Sequence, residues 1–284
     1  MGIGKVGQET GYFRTRDGLK IFYRWHASPN ELSRVVIVHG IGEHSGRYVN
    51  VVNILTPNGI SVWALDLKGH GQSEGKRGHI TSFDEYISEV LSLINIAREG
   101  KREGTKLFLL GHSMGGLIVL DFALKYPDVI DGFVVSSPAL GLAVKVPLTK
   151  MILGKFMSSL FPSLTMGNGL DVAMLSHDES VVRAYVEDPL VHDRVSARWF
   201  TEMLAAMERV NSSATSFNIP ILMQLAGDDH LTDANAVKRF FEKLTAEDKT
   251  LHVYEGSYHE IYNEKKELRE KPLRDLLSWL EDRR

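Results

Sequence analysis

The chain of 284 residues has no cysteine. Disulfides, thiolate catalysis and cysteine-based zinc sites are therefore excluded. It has no long basic run, and its net charge is −3 with a pI near 6.4, so no nucleic-acid partner is expected. No stretch is long and apolar enough to span a bilayer. The first residues, Met1-Gly2-Ile3-Gly4-Lys5-Val6-Gly7, lack a signal-peptide core, and Val6 breaks the myristoylation pattern. The expectation is a soluble cytoplasmic protein, with peripheral membrane contact left open. There are no internal repeats and no low-complexity segment.

Apolar residues make up 43% of the chain, enough to bury one large domain. Around Asp17-Gly18, Tyr12 to Arg16 and Leu19 to Trp25 read as a hairpin. Val35-Val36-Ile37-Val38 reads as a strand buried on both faces, ending in His39-Gly40-Ile41-Gly42. Tyr48, Val51, Val52 and Leu55 share a helix face that Asn58-Gly59 closes. Ile60 to Leu65 is the next strand, and Asp66 to Gly78 a Gly-rich loop. Ser82-Phe83-Asp84-Glu85 reads as a capping box before a helix carrying Phe83, Ile87, Val90, Leu91 and Ile94. Later come a strand at Phe133-Val134-Val135, a strand from Ile219 to Ala226 and a helix from Ala234 to Leu244. A strand from Thr250 to Tyr254 and a helix from Leu268 to Leu280 close the chain. Alternation of this kind predicts an α/β fold with a mostly parallel central sheet covered on both faces. Sites in such sheets lie beyond the carboxyl ends of the strands.

The alternation breaks between about Pro138 and Asn211, where no strand is evident. The run from Pro147 to Phe161 is very apolar, and Met203, Leu204 and Met207 form a second apolar face. This stretch reads as an inserted helical cap, or lid, over the sheet edge. The expected organisation is a core from 1 to 137, a cap from 138 to 211 and a second core part from 212 to 284. The cap is expected to line an apolar tunnel and to touch a membrane surface transiently. Lys145, Lys150 and Lys155 are not gathered on one helix face, which argues against a purely electrostatic contact.

Chemistry centres on Leu107-Phe108-Leu109-Leu110-Gly111-His112-Ser113-Met114-Gly115-Gly116. An apolar strand runs into Gly-x-Ser-x-Gly and then into a helix, the context of a nucleophile elbow. The pattern alone is weak in a glycine-containing chain, and the flanking strand and helix carry the reading. A serine hydroxyl is a poor nucleophile and needs an adjacent base, itself oriented by an acid. In elbow-type hydrolases the acid and then the histidine follow the serine. Asp229, in Gly227-Asp228-Asp229-His230-Leu231-Thr232-Asp233, is the candidate acid, with Asp228 its adjacent rival. His259, after the last strand in Glu255-Gly256-Ser257-Tyr258-His259, is the candidate base; His252 lies within the strand. The backbone N–H groups of Ile41 and Met114 are the candidate oxyanion donors. No metal and no cofactor are needed.

On these residues the chain resembles the monoacylglycerol lipase and lysophospholipase branch of the α/β-hydrolase family. The likeness covers nearly the whole length. It includes His39-Gly40-Ile41-Gly42-Glu43-His44-Ser45-Gly46-Arg47-Tyr48, Gly69-His70-Gly71-Gln72-Ser73-Glu74-Gly75 and Asp188-Pro189-Leu190. It continues through Lys249 to His259. The resemblance implies a Ser113–Asp229–His259 triad, oxyanion donors at Ile41 and Met114, and a mobile apolar cap. It also implies a polar glycerol pocket, with Glu43, Arg47 and Tyr185 as candidates; read by itself, the Glu43 and Arg47 spacing fits a surface ion pair equally well. Three features depart from the family: the animal enzymes' regulatory cysteines are absent, Tyr262 stands where a second histidine is common, and the acid loop Leu225-Ala226-Gly227-Asp228-Asp229 carries an extra aspartate.

The expected function is serine-dependent hydrolysis of monoacylglycerols to glycerol and fatty acid, through an acyl-enzyme. The expected partner is thus a monoacylglycerol or related single-chain lipid ester. Lysophospholipase or general carboxylesterase activity is the alternative, and a non-catalytic lipid-binding protein a remoter one. Epoxide and haloalkane hydrolysis place a carboxylate at the elbow, which Ser113 excludes. A peptidase would need a site for a free amino terminus, and none is visible.

Overall fold

A computed structural model describes residues 7–143 and 148–284, with the side chains of 148–150 excepted. Met1–Val6, Lys145 and Pro147, and the side chain of Lys150, thus lie outside the described residues.

The opening hairpin pairs β1 (Gln8–Arg14) with β2 (Lys20–His26) in antiparallel register. Gly18 turns the loop at φ 87°, a conformation in which a Cβ would be strained. β3 (Ser33–Val38) and β4 (Ile60–Leu65) are buried throughout, and α1 (Val49–Leu55) lies between them in sequence. α2 (Asp84–Arg98), β5 (Lys106–His112), α3 (Met114–Lys125) and β6 (Gly132–Ser136) follow. After the inserted region come β9 (Ile221–Ala226), α7 (Ala234–Lys243), β10 (Lys249–Tyr254) and α8 (Lys266–Glu281). The eight-stranded sheet has the order β1-β2-β4-β3-β5-β6-β9-β10. From β4 to β10 every neighbouring pair is parallel.

Side chains along the central strands alternate between two cores, as the pleat requires. Val36, Val38, Leu107 and Leu109 face α2, α3 and α7, whereas Val35, Ile37, Phe108 and Leu110 face α1 and α8. Each such side chain, fully buried, stabilises the fold by about 1.5–3 kcal/mol. The strands therefore read as unbroken apolar runs. Half of the expected capping box forms: Glu85 accepts the Ser82 N–H at 3.2 Å, but Ser82 Oγ accepts from Asp84.

Between β6 and β9 the chain leaves the sheet. It forms α4 (Leu148–Leu160), β7 (Thr165–Gly167), α5 (Glu179–Glu187), β8 (Arg194–Ser196) and α6 (Ala197–Ser212). The expectation of no strand here is corrected: β7 and β8 pair antiparallel, Met166 opposite Val195. Each is three residues long, too short for an alternating pattern to register. α4 packs on α6 through Gly154, against the Phe200 ring, and Ser158, whose Oγ lies 2.8 Å from Thr201 Oγ1. Its other side leaves Leu153, Phe156 and Leu160 exposed.

Packing is very close where β5 meets α3. A Cβ on Gly111 would overlap the Gly115 carbonyl, and one on Gly115 would overlap the carbonyls of Val38 and His39. Gly115→Ala is expected to lose about 1–3 kcal/mol of stability by forcing these backbones apart. A urea melt of the variant, with a lower midpoint and unchanged slope, would show this.

Candidate active site

Ser113 sits at the apex of the turn between β5 and α3, with φ 54° and ψ −117°. A non-glycine residue in this region is strained, and surrounding structure must hold it there. Here the hold is a backbone bond from Ser113 N–H to the Ser136 carbonyl (2.9 Å), together with the glycine contacts just described. The first turn of α3 follows Ser113 directly, so its free N–H groups lie at the reacting centre.

Asp229 and His259 arrive on the loops after β9 and β10. His259 Nδ1 donates to Asp229 Oδ2 at 2.8 Å, and both side chains are almost fully buried. Asp229 is further held by the N–H groups of Leu231 (2.8 Å) and Thr232 (3.0 Å) on Oδ1, and by the Thr232 hydroxyl on Oδ2. Burial pushes the Asp229 pKa up, but the charge and hydrogen bond of His259 outweigh it and hold the carboxyl well below its usual range. For His259 burial pulls downward, while Asp229 raises the pKa above the ordinary histidine value. With Nδ1 engaged, Nε2 is the nitrogen left for Ser113, which lines the same cavity. Asp228, the rival acid, is half exposed and pairs with His230 at 3.1 Å. Asp233 caps α7, accepting from Asn235 and Ala236.

The loop after β3 brings the Ile41 side of the site. Glu43 Oε1 accepts the Gly40 N–H (2.6 Å) and the Tyr48 hydroxyl (2.8 Å). His39, fully buried, accepts the Leu67 N–H on Nε2 at 2.9 Å, so Nδ1 carries the hydrogen toward the Gly40 carbonyl at 2.7 Å. The Gly40 peptide is thus gripped from both sides. Ile41 and Met114 both line the cavity beside Ser113.

Glu43 and Arg47 do not form a surface pair. Arg47 Nη1 donates to Glu43 Oε2 (2.8 Å) and to Glu260 Oε1 (2.5 Å), and Nη2 donates to Glu260 Oε2 (2.7 Å). Its guanidinium stacks over the Tyr185 ring, 4.7 Å from the centroid. Burial, the largest single influence, would raise the Glu43 pKa, but Arg47, the neighbouring histidines and the Gly40 N–H together lower it to about 2. Glu43, Tyr185 and Glu260 line the main cavity; Arg47 sits behind them and reaches only a small side pocket. Sequence reading missed Glu260 and His112. The His112 ring packs 4.7 Å from His259, and burial together with His259 lowers its pKa to about 4, leaving it neutral. Tyr262, at the place of the family's second histidine, instead donates its hydroxyl to Gln224.

The cavity encloses about 580 Å³ and is lined mostly by apolar side chains. The inserted region contributes Leu175, Trp199, Met203 and Met207 to the lining that also includes Ser113 and Met114. Among the described residues no cluster of side chains fits a metal ion.

A buried serine, histidine and aspartate at the strand ends of this sheet define an α/β-hydrolase. Residues 29–266 match the hydrolase family described as serine aminopeptidase, S33, and the chain belongs to that family. It is 36% identical over 244 residues to phospholipase YtpA of Bacillus subtilis, covering 85% of this chain and 93% of that one. It is 32% identical over 265 residues to the monoacylglycerol lipase of Mycolicibacterium smegmatis, covering 93% of each. The crystal structure of Paleococcus ferrophilus monoacylglycerol lipase superposes with a TM-score of 0.85 at 38% identity, over 93% of this chain and 99% of that one. The chain is therefore an enzyme of the serine esterase and lipase class.

Asp229→Asn is expected to lower kcat about 10⁴-fold by losing the tautomer and charge that the base requires, while Asp228→Asn stays close to the parent. Initial rates on a soluble ester would show the contrast. In the parent, kcat/KM should climb as pH rises and His259 loses its proton, with the midpoint above the ordinary histidine value. In Asp229→Asn burial dominates, and a pH–rate profile should show the midpoint moved down.

Proposed function

We propose that this enzyme hydrolyses monoacylglycerols to glycerol and a free fatty acid. The observation that carries the reading is a largely apolar cavity lined by Ser113 and also by the polar side chains of Glu43, Tyr185 and Glu260. An acyl chain fits the apolar lining and a glycerol head the polar side chains. The resemblance to monoacylglycerol lipases supports the same substrate.

In the mechanism, Ser113 Oγ attacks the ester carbonyl while His259 Nε2 takes its proton. Asp229 holds the imidazole and stabilises its charged form. The N–H groups of Ile41 and Met114 receive the oxyanion, and the grip on the Gly40 peptide keeps the first of them aimed. The tetrahedral intermediate expels the glycerol alkoxide, which takes the proton from His259. Water then gives a proton to the same nitrogen as its oxygen attacks the acyl-enzyme. Return of that proton to Ser113 frees the fatty acid. No step needs a metal or a cofactor.

The region from 138 to 211 acts in this reading as the lid between two core parts, 1–137 and 212–284. On its outer side Ile152, Leu153, Phe156, Leu160, Phe161, Leu164 and Met166 are all exposed, about half or more of each side chain. An apolar patch of this extent fits transient docking on a lipid surface from the cytoplasm. No helix among the described residues is long and apolar enough to cross a membrane.

Fatty-acid release from a panel of monoacylglycerols, lysophosphatidylcholine and triacylglycerol tests the substrate. Fast turnover of monoacylglycerol, abolished in Ser113→Ala, is expected; a preference for lysophosphatidylcholine would keep the mechanism and replace the substrate. The lid reading has its own check. Phe156→Glu with Phe161→Glu should weaken sedimentation with lipid vesicles at least about tenfold. Turnover of a soluble short-chain ester should be retained.

A further inference from the structure

In the reading above, the leaving alcohol lies against Glu43 and Glu260. Glu43, Glu260 and Asp171 are among the cavity's lining residues, and no lysine or arginine is, among the described residues. His112 lines the same cavity and is neutral, since burial and the neighbouring His259 keep it so. Apart from the proton that His259 carries in the reaction, the positive charge beside these carboxylates belongs to Arg47. Its guanidinium is held by Glu43 on one side and doubly by Glu260 on the other, and Tyr185 covers its face. Two carboxylates around one guanidinium leave a net negative charge. The Glu43 and Glu260 side chains are both only 4% exposed, so solvent screens that charge poorly.

A phosphate oxygen placed where the leaving alcohol sits would meet carboxylates with no donor of positive charge to offset them. A hydroxyl group would instead donate to those carboxylates at no electrostatic cost. We infer that Glu43 and Glu260, with Arg47 locked between them, form an anion-excluding filter that restricts the enzyme to esters of neutral alcohols. The inference rests on the single-chain lipid ester reading above and narrows it. Glu260 is the specificity-determining residue, because it converts a neutral Glu43–Arg47 pair into a negative trio. Removal of its charge leaves one carboxylate matched to one guanidinium.

The test is a ratio of kcat/KM values for 1-oleoylglycerol and 1-oleoyl lysophosphatidate, which share an acyl chain. The native enzyme should favour the neutral lipid by about a hundredfold. Glu260→Gln should narrow that ratio by at least about tenfold, and Glu260→Asp should keep most of it. A uniform loss of activity, as from a merely structural role, would leave the ratio unchanged. A second measurement needs only the native enzyme: inhibition of short p-nitrophenyl ester turnover by a 1-alkylglycerol ether and by its phosphate. The ether should inhibit and its phosphate should not. Comparable hydrolysis of both esters, equal inhibition by both ethers, or an unchanged ratio in Glu260→Gln would each overturn the filter. Failure to cleave any long-chain lipid while Ser113-dependent turnover of the short ester persists would instead overturn the lipid reading on which it rests.

Discussion

Everything at this site depends on how closely α3 begins to the carboxyl end of β3. The glycines around Ser113 let the first helical turn touch the carbonyls of Val38 and His39, which no side chain would allow. That contact fixes two things at once. It holds Ser113 at its positive φ, and it brings the start of α3 against the loop that follows β3. The strain in the turn is carried by flanking strands whose side chains are buried on both faces. A less rigid sheet would let the turn relax and the hydroxyl drop back.

The electrostatics are layered around that turn. Asp229 is saturated by backbone and hydroxyl donors, and His259 is the ionisable side chain that it hydrogen-bonds. Glu43 serves the opposite wall, where it holds the Gly40 peptide, Tyr48 and Arg47 together. The two carboxylates thus work in separate networks on either side of the imidazole. One fixes the His259 ring, and the other stiffens the loop after β3. His112 fills the space beside the base, stays neutral and adds no competing charge.

The core elements were legible because each central strand is a short, unbroken apolar run bounded by turn residues. In the acid loop the two adjacent aspartates part company: the N–H groups of Leu231 and Thr232 hold Asp229, and Asp228 is left at the surface. The missing pieces share a cause. Glu260 meets Arg47 from a position 213 residues away, and nothing local distinguishes it from a solvated glutamate. Glu43 and Arg47 sit one helical turn apart, so the same spacing described a surface pair and a buried one; only the third partner decides. β7 and β8 were hidden because they are brief and their pairing joins distant segments. His112 occupies a variable place within the elbow motif, where spacing carries no information about what its ring will touch.

Helix α6 belongs to cavity and foundation together. Its Trp199, Met203 and Met207 face the cavity, while Ala206 and Val210 are buried in the main core. Arg209 clamps the fully buried Asp121 of α3 through Nε and Nη2, each at 2.8 Å. The inserted region is therefore not a detachable accessory. Excising it would bare an apolar flank of the sheet and leave the buried Asp121 to Lys125 alone. A lineage carrying this arrangement can vary α4 and the loops around it freely, but it must inherit α6 with the nucleophile's own helix.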